Sequence, residues 1–357
     1  MGGESERSGL AVYYRHEAEA TFGDDEPHYR DICAGIAESP ELLDLLAAHP
    51  DEARQPNLLL AAAHYLLLRG LNHPLGLVYT GASAAEPFPL FRELVLDNRD
   101  KVDELLSTRR TQTNEVGRCA ALAPAFRNLY RTVDRPFAWI DLGTSAGLNL
   151  LLDRLRIDYY FDERVATTGP SDAPVAIECS MVGEDPGIDP AVVPIEWRVG
   201  IDRRPVEVLD DEQTTWLRAT VWPSAVARAA RLDAALTLAK GSPPAVIAAE
   251  AAAGVLEALA AAPDDAHLVV TTSWVWYYFG EQTRTDVLAV LAAAGRPVSW
   301  ISVEGVGVVE QLGPGPGPSA ASVLGEVTFD GGDVDSARRL ALTHPHGTWL
   351  DWGVPPR

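Results

Sequence analysis

The sequence predicts an α/β fold: a mainly parallel sheet with an antiparallel C-terminal edge, preceded by an all-helical N-terminal domain. Three observations carry this expectation. In the first third, apolar residues recur at spacings of three and four, the period of helices with one buried face. At Arg135-Pro136 the pattern changes to a short β-compatible run, Phe137 to Leu142, followed by a Gly-rich turn and a helical stretch from Leu148 to Leu155. Beyond it, β-like runs alternate with Ala-rich helical segments, which is the pattern of parallel strands joined by right-handed crossovers.

In the first third, Ser39-Pro40-Glu41 opens a helix with a capping residue, a first-turn proline and an early acid, and His49-Pro50 closes it. Leu58 to Leu68 is apolar nearly all round, so this helix is surrounded by others, with Gly70 at its C-cap. Leu90, Phe91, Leu94, Val95, Val102, Leu105 and Leu106 trace a further amphipathic stripe. Later strands are expected at Val175 to Cys179, Glu196 to Ile201, Ala245 to Ala249, His267 to Thr272 and Pro297 to Val303, with helices over 225–239, 251–261 and 284–294. After the Pro/Gly run 313–318, Val323 to Phe329, Arg338 to His344 and Thr348 to Trp352 read as the antiparallel edge. The expected domains are a helical lid and substrate domain over 1–131 and a sheet domain over 132–357, with a β-rich insertion at about 157–195.

The chain has 357 residues, 47% hydrophobic and 22% charged, the composition of a folded protein. Its 29 Lys and Arg against 51 Asp and Glu give a net charge of −22, which disfavours nucleic acid and anionic lipid as partners. The longest apolar run, around Leu58 to Leu68, contains His64 and is half of the ~20 residues that cross a bilayer. The N-terminal Met1 to Arg7 lacks the apolar stretch of a secretory signal, and Cys33, Cys119 and Cys179 have neither an even count nor metal-ligand spacing. These features predict a cytoplasmic, metal-free protein acting on a small molecule.

The chemistry concentrates in Ala138-Trp-Ile-Asp-Leu-Gly-Thr-Ser-Ala-Gly-Leu-Asn-Leu-Leu151. Gly143 and Gly147 let backbone approach a ligand at a tight turn, and the helix start that follows supplies free N–H groups. Asp141 is an acid where a pyrophosphate binder would avoid one, so the expected ligand is cationic or uncharged. This stretch resembles the first motif of class I S-adenosylmethionine (SAM) methyltransferases. Trp197-Arg-Val-Gly-Ile-Asp202-Arg-Arg-Pro205 looks like the second motif and Val246-Ile-Ala-Ala-Glu250 like the third. The resemblance implies SAM as cofactor and a Rossmann-like sheet domain. It implies that Asp141, Gly143, Ser145 and Gly147 line the aminoacyl part, that Asp202 holds the ribose, and that Glu250 faces the adenine. Over about 110–352 the chain is also similar to a bacterial family of uncharacterised proteins with a methyltransferase-like fold. Gln112-Thr-Asn-Glu-Val-Gly-Arg118, Gly143 to Asn149, Gly200-Ile-Asp202 with Pro205, and His344-Pro-His-Gly347 carry that similarity.

Candidate catalytic residues are Glu115, Glu304 and His344, each able to act as a general base. Glu115 and Arg118 either reach a ligand or form a helix cap with an internal ion pair. Arg118, Trp274, Trp276 and Tyr277 are candidate substrate-binding residues, the aromatics as a wall over a planar or cationic group or else as core. Two other classes compete with a methyltransferase. One is a SAM- or nucleotide-binding protein of the same fold without turnover. The other is an α/β-hydrolase, because Gly143-Thr-Ser145-Ala-Gly147 is a literal G-x-S-x-G with acids and histidines following it.

Overall fold

The computed structural model describes residues 2–24, 26–315 and 320–353, with side chains described from residue 5. The chain is α/β and divides into two compact units. One comprises residues 1–113 with 210–230, the other residues 114–209 with 231–357. The expected loop over 313–318 is described only to Gly315, so Pro316 to Pro318 lie outside the described residues.

The first unit is helical. Proline occupies the first turn of helices Pro27–Ile36, Pro40–Ala47, Pro56–Leu68 and Pro87–Asp97, where its missing N–H costs nothing. Helix Pro56–Leu68 is buried on nearly every side, as its uninterrupted apolar run predicts. Gly70, at φ +92°, ends it while Leu71 N–H reaches back to the Leu66 carbonyl, an arrangement that favours glycine. His64 packs edge to face against Tyr79, and burial pushes its imidazole down to about 4.

Among the described residues the second unit carries an 11-stranded sheet, its strands numbered in chain order and lying side by side as β3 (Val165–Thr168), β2 (Arg156–Tyr160), β4 (Ala176–Gly183), β11 (Trp349–Trp352), β10 (Asp333–Thr343), β9 (Ser322–Asp330), β8 (Val298–Gly305), β7 (His267–Ser273), β1 (Phe137–Leu142), β5 (Ile195–Asp202) and β6 (Val246–Ala248). Its parallel block is β6 (Val246–Ala248), β5 (Ile195–Asp202), β1 (Phe137–Leu142), β7 (His267–Ser273) and β8 (Val298–Gly305). Strand β1 is buried along its whole length, as a central parallel strand with both faces covered should be. Helix Ala251–Ala261 crosses from β6 to β7 and helix Glu281–Ala292 from β7 to β8. Their apolar faces close a core with Ile140, Ile201, Val270 and Trp300.

Beyond β8 the sheet turns antiparallel through β9 (Ser322–Asp330) and β10 (Asp333–Thr343), followed by β11 (Trp349–Trp352). These C-terminal strands are not outermost. The excursion between β1 and β5 forms β2 (Arg156–Tyr160), β3 (Val165–Thr168) and β4 (Ala176–Gly183), and β4 pairs in parallel with β11.

The helix expected over Leu148 to Leu155 is a 3₁₀ segment, Leu148–Arg154. Eight residues separate Gly147 from the strand pairing that begins at Arg156, too few for a crossover helix. The tight segment is pinned by Arg198, which donates to the Leu150 carbonyl and holds Asp153 through both guanidinium nitrogens at 2.6 and 2.7 Å. All three cysteines are buried free thiols.

Candidate functional site

In the parallel block the chain runs outward from β1 through β5 to β6, then returns to the other side of β1 as β7 and β8. Where such an order reverses, here between β1 and β7, the connections leaving the two strands run in opposite directions, and sheets of this kind bind their ligands at that end. The predicted residues gather at this end of the sheet.

Asp141, near the end of β1, is 2% exposed. Its Oδ1 accepts from Thr271 Oγ1 at 2.6 Å and its Oδ2 from Thr144 Oγ1 at 2.7 Å, while Trp139 Nε1 donates to the same Thr271 hydroxyl. Burial pushes the carboxyl up to about 6 against the pull of these hydroxyls, and the Asp202 charge adds to the rise. Asp141 therefore ties β1 to β7 and to its own loop; both oxygens already accept hydrogen bonds.

The Gly-rich loop is held internally. Gly143 and Thr144 N–H donate to the Ile201 carbonyl, Ser145 N–H to Asp202 Oδ2 at 2.9 Å, Gly147 N–H to Thr144 and Leu148 N–H to Asn114 Oδ1. Five of the amides expected to be free at a helix start are thus committed, and the 3₁₀ segment that follows is capped by Asn114. Gly143 and Gly147 adopt φ +77° and +72°, and a Cβ on them would meet Val275 at 2.4 Å and Pro244 at 2.7 Å. Both glycines have a packing reason to be glycine. Ser145 adopts φ +57°, and its hydroxyl is buried without a hydrogen-bond partner.

Asp202 closes β5, accepting from Ser145 N–H on one oxygen and Arg204 N–H on the other. Glu250 stands at the start of helix Ala251–Ala261, its side chain 72% exposed and 4.0 Å from Arg203.

At the same end of the sheet, Arg118 joins distant strings. It is 7% exposed, donating through Nε to the Pro345 carbonyl and through Nη1 to the Ser273 carbonyl, with its guanidinium over the Trp274 ring. Trp274 adopts φ +57° and donates to Ser322 Oγ at 2.8 Å. Trp276, expected on an aromatic wall, is instead core: it is 1% exposed and packs on Trp300 with ring centroids 4.5 Å apart. Tyr277 and Tyr278, next on the turn, are exposed.

Glu115 caps the short turn Val116–Arg118 by accepting from Gly117 N–H. Its ion pair is with Arg231 at 3.1 Å rather than with Arg118, and His346 Nδ1 lies 3.5 Å from its second oxygen. His344 Nδ1 accepts from His346 N–H. The two glycines here explain why these strings meet: a Cβ on Gly347 would lie 1.9 Å from the Gly117 carbonyl, and one on Gly117 2.2 Å from that of His346.

Glu304, on β8, is 1% exposed; its Oε1 accepts from Val275 and Trp276 N–H at 3.2 and 3.1 Å, and its Oε2 is buried without a hydrogen-bond partner. Burial pushes this carboxyl up to about 7, against the pull of the two amides and the Arg118 charge.

Sequence reasoning missed Arg231, Thr271, Thr144 and Val275. Thr271-Thr272-Ser273 was the available signal, a hydroxyl run ending an otherwise apolar strand; Arg231, in a helix far along the chain, had none.

A family model described as an uncharacterised protein conserved in bacteria (DUF2332) matches residues 11–352. The chain belongs to that family. No curated protein and no solved structure matches it.

Proposed function

We propose that this family member is a cytoplasmic SAM-dependent methyltransferase with a Rossmann-like sheet domain, acting on a small-molecule acceptor. The observation that carries the reading is the strand order β6-β5-β1-β7-β8, with an acid at the end of β5 and another beyond β6, both on the β1 side of the chain reversal. This is the order of nucleotide-binding sheets, whose ligands lie outside the carboxyl strand ends. In class I methyltransferases the corresponding acids face a nucleoside.

The residues present fit such a cofactor at its nucleoside end. Asp202 offers a partly exposed carboxylate for ribose hydroxyls, and the exposed Glu250 lies farther along the same edge. The buried, unpartnered Ser145 hydroxyl, one residue from loop backbone that Asp202 does not hold, is a polar atom left for a ligand. Gly143 and Gly147 contribute by permitting the loop's shape, and Asp141 by fixing the loop on β7. Bound there, SAM supplies a methyl group activated by its sulfonium. The chain's own contribution is alignment and exclusion of water, with the buried carboxyl of Glu115 or Glu304 or the partly buried imidazole of His344 to manage the acceptor's proton. Arg118, Trp274 and Tyr277 would contact the acceptor, and the −22 net charge favours an acceptor that is not a large anion.

Calorimetry with SAM and S-adenosylhomocysteine tests this. Wild type is expected to bind both, with affinity falling at least tenfold in Asp202→Asn; absence of binding to wild type overturns the reading. Incubation with candidate acceptors and mass detection of an added methyl separates an enzyme from a binding protein of the same fold. Ester hydrolysis lost in Ser145→Ala would favour the hydrolase class instead.

A further inference from the structure

The acids and histidines at the carboxyl end of the sheet are unequally engaged. Glu115 is committed to Gly117 N–H, Arg231 and His346, the His344 Nδ1 accepts a backbone N–H, and both oxygens of Asp141 accept from threonines. Glu304 differs. Two amides of the turn after β7 fix its Oε1, and its Oε2 has no hydrogen-bond partner although the residue is 1% exposed. Ser302, two residues earlier and so on the same face of β8, also buries a hydroxyl without a partner. Buried polar atoms are nearly always hydrogen-bonded, so two orphans on one strand face point to a group that arrives from outside the chain.

We infer that Glu304 is the proton-exchanging carboxyl of this site, and that its Oε2 receives the proton of a hydroxyl or amine presented at the ends of β7 and β8. The inference deepens the proposed function but rests only on a ligand occupying this end of the sheet, whatever cofactor accompanies it. In the step, the acceptor's O–H or N–H bond breaks and the proton passes to Oε2. The electron pair stays on the acceptor's oxygen or nitrogen and would form the new bond to the transferred group as that group's bond to its donor breaks, the donor leaving with the electron pair of the broken bond; solvent later removes the proton from Glu304. The acceptor class follows: a molecule with an exchangeable proton, in preference to a thioether.

The surroundings suit this role. The charged and titratable groups facing Glu304 are Arg118 and, on the turn, Tyr278, and the Thr272 hydroxyl on β7 pulls in the same direction as Arg118, toward the carboxylate. Arg118 favours the carboxylate, and burial favours the acid more strongly, leaving a group that titrates near neutrality. Such a carboxyl both takes and returns a proton at working pH.

The test is carbodiimide coupling of methylamine to the intact protein at pH 7, with modified carboxyls located by peptide mass spectrometry. Glu26, fully buried among the helices of the other unit, is the internal control. Glu304 is expected to gain the methylamide at least fivefold faster than Glu26. In ¹³C spectra of glutamate-labelled protein, the signal missing from Glu304→Gln is expected to titrate between pH 6 and 8. Labelling no faster than Glu26, or a midpoint below pH 5, overturns the inference. Calorimetry with SAM on the same Glu304→Gln protein keeps the two ideas apart: if SAM binds neither wild type nor variant, the cofactor reading fails while the labelling still decides Glu304.

Discussion

Gly143, Asp141 and Glu304 each carry a measurable consequence at the scale of one residue. Alanine at Gly143 would hold φ +77° and press a Cβ to 2.4 Å from Val275. Strain and overpacking together predict a loss of about 2–4 kcal/mol in urea unfolding. The double variant Gly143→Ala with Val275→Ala should recover the steric part of that loss, as a double-mutant cycle would report. For Glu304 the sign follows from a folded-state pKa raised from 4.5 to about 7. The folded protein keeps a proton that the unfolded chain has lost, so this residue's contribution to stability falls as pH rises through that window and is flat outside it. The predicted loss is of order 3 kcal/mol, and Glu304→Gln should remove it from the pH profile. Asp141, raised to about 6, acts in the same direction over a lower window. His64, whose pKa is depressed to about 4, opposes both by costing stability as pH falls below 6.5. The comparison must therefore be variant against wild type, and a profile unchanged in Glu304→Gln would contradict the assignment.

At the scale of elements, the clearest coupling is between the β10–β11 turn and the segment before helix Cys119–Val133. Gly347, at φ +73°, lies so close to the Gly117 carbonyl that a Cβ has no side chain to displace, only backbone. Gly347→Ala is expected to cost more than about 3 kcal/mol and to raise hydrogen exchange at Gly117 and Arg118, without altering helix Ala251–Ala261. The open edge of β10 beyond its pairing with β11 is interrupted by irregular register near Asp335 and Leu340 and carries Asp333, Asp335, Arg338 and Arg339, features that discourage strand addition.

Elements with a strong local pattern were legible before the structure. Phe137–Leu142 and helix Ala251–Ala261 fall where periodicity puts them, because an apolar strand bounded by Pro136 and Gly143, and an alanine-rich run after a strand, each have one favourable solution. Leu148 to Arg154 did not, because its apolar pattern suits a helix while strand pairing from Arg156 onward allows only a tight turn. Asp202 and the loop it holds were readable from the strand end. The Glu115–Arg231 and Arg118–Ser273 contacts were not, since they depend on which elements become neighbours across more than a hundred residues.

At the scale of the whole molecule, strand order is the information that no local window contains. It brings β1, β5, β7 and β8 together so that Asp141, Asp202, Ser273 and Glu304 share one end of the sheet. Among the described residues no helix is long and apolar enough to cross a membrane. With 51 acidic against 29 basic residues, self-repulsion opposes folding, and salt screens it over a Debye length of ~8 Å at physiological ionic strength. Raising salt from low values to physiological strength is expected to raise the melting temperature by a few degrees; a fall would mean that attractive surface pairs outweigh the excess charge.

The central claim is that a nucleoside cofactor lies across the carboxyl ends of β5, β1 and β7. A crystal structure of the protein with S-adenosylhomocysteine measures this directly. Density for the sugar within hydrogen-bonding distance of the Asp202 carboxylate is the predicted result. Nucleoside density elsewhere, or none at saturating ligand with the loop 143–147 closed as described, would contradict it.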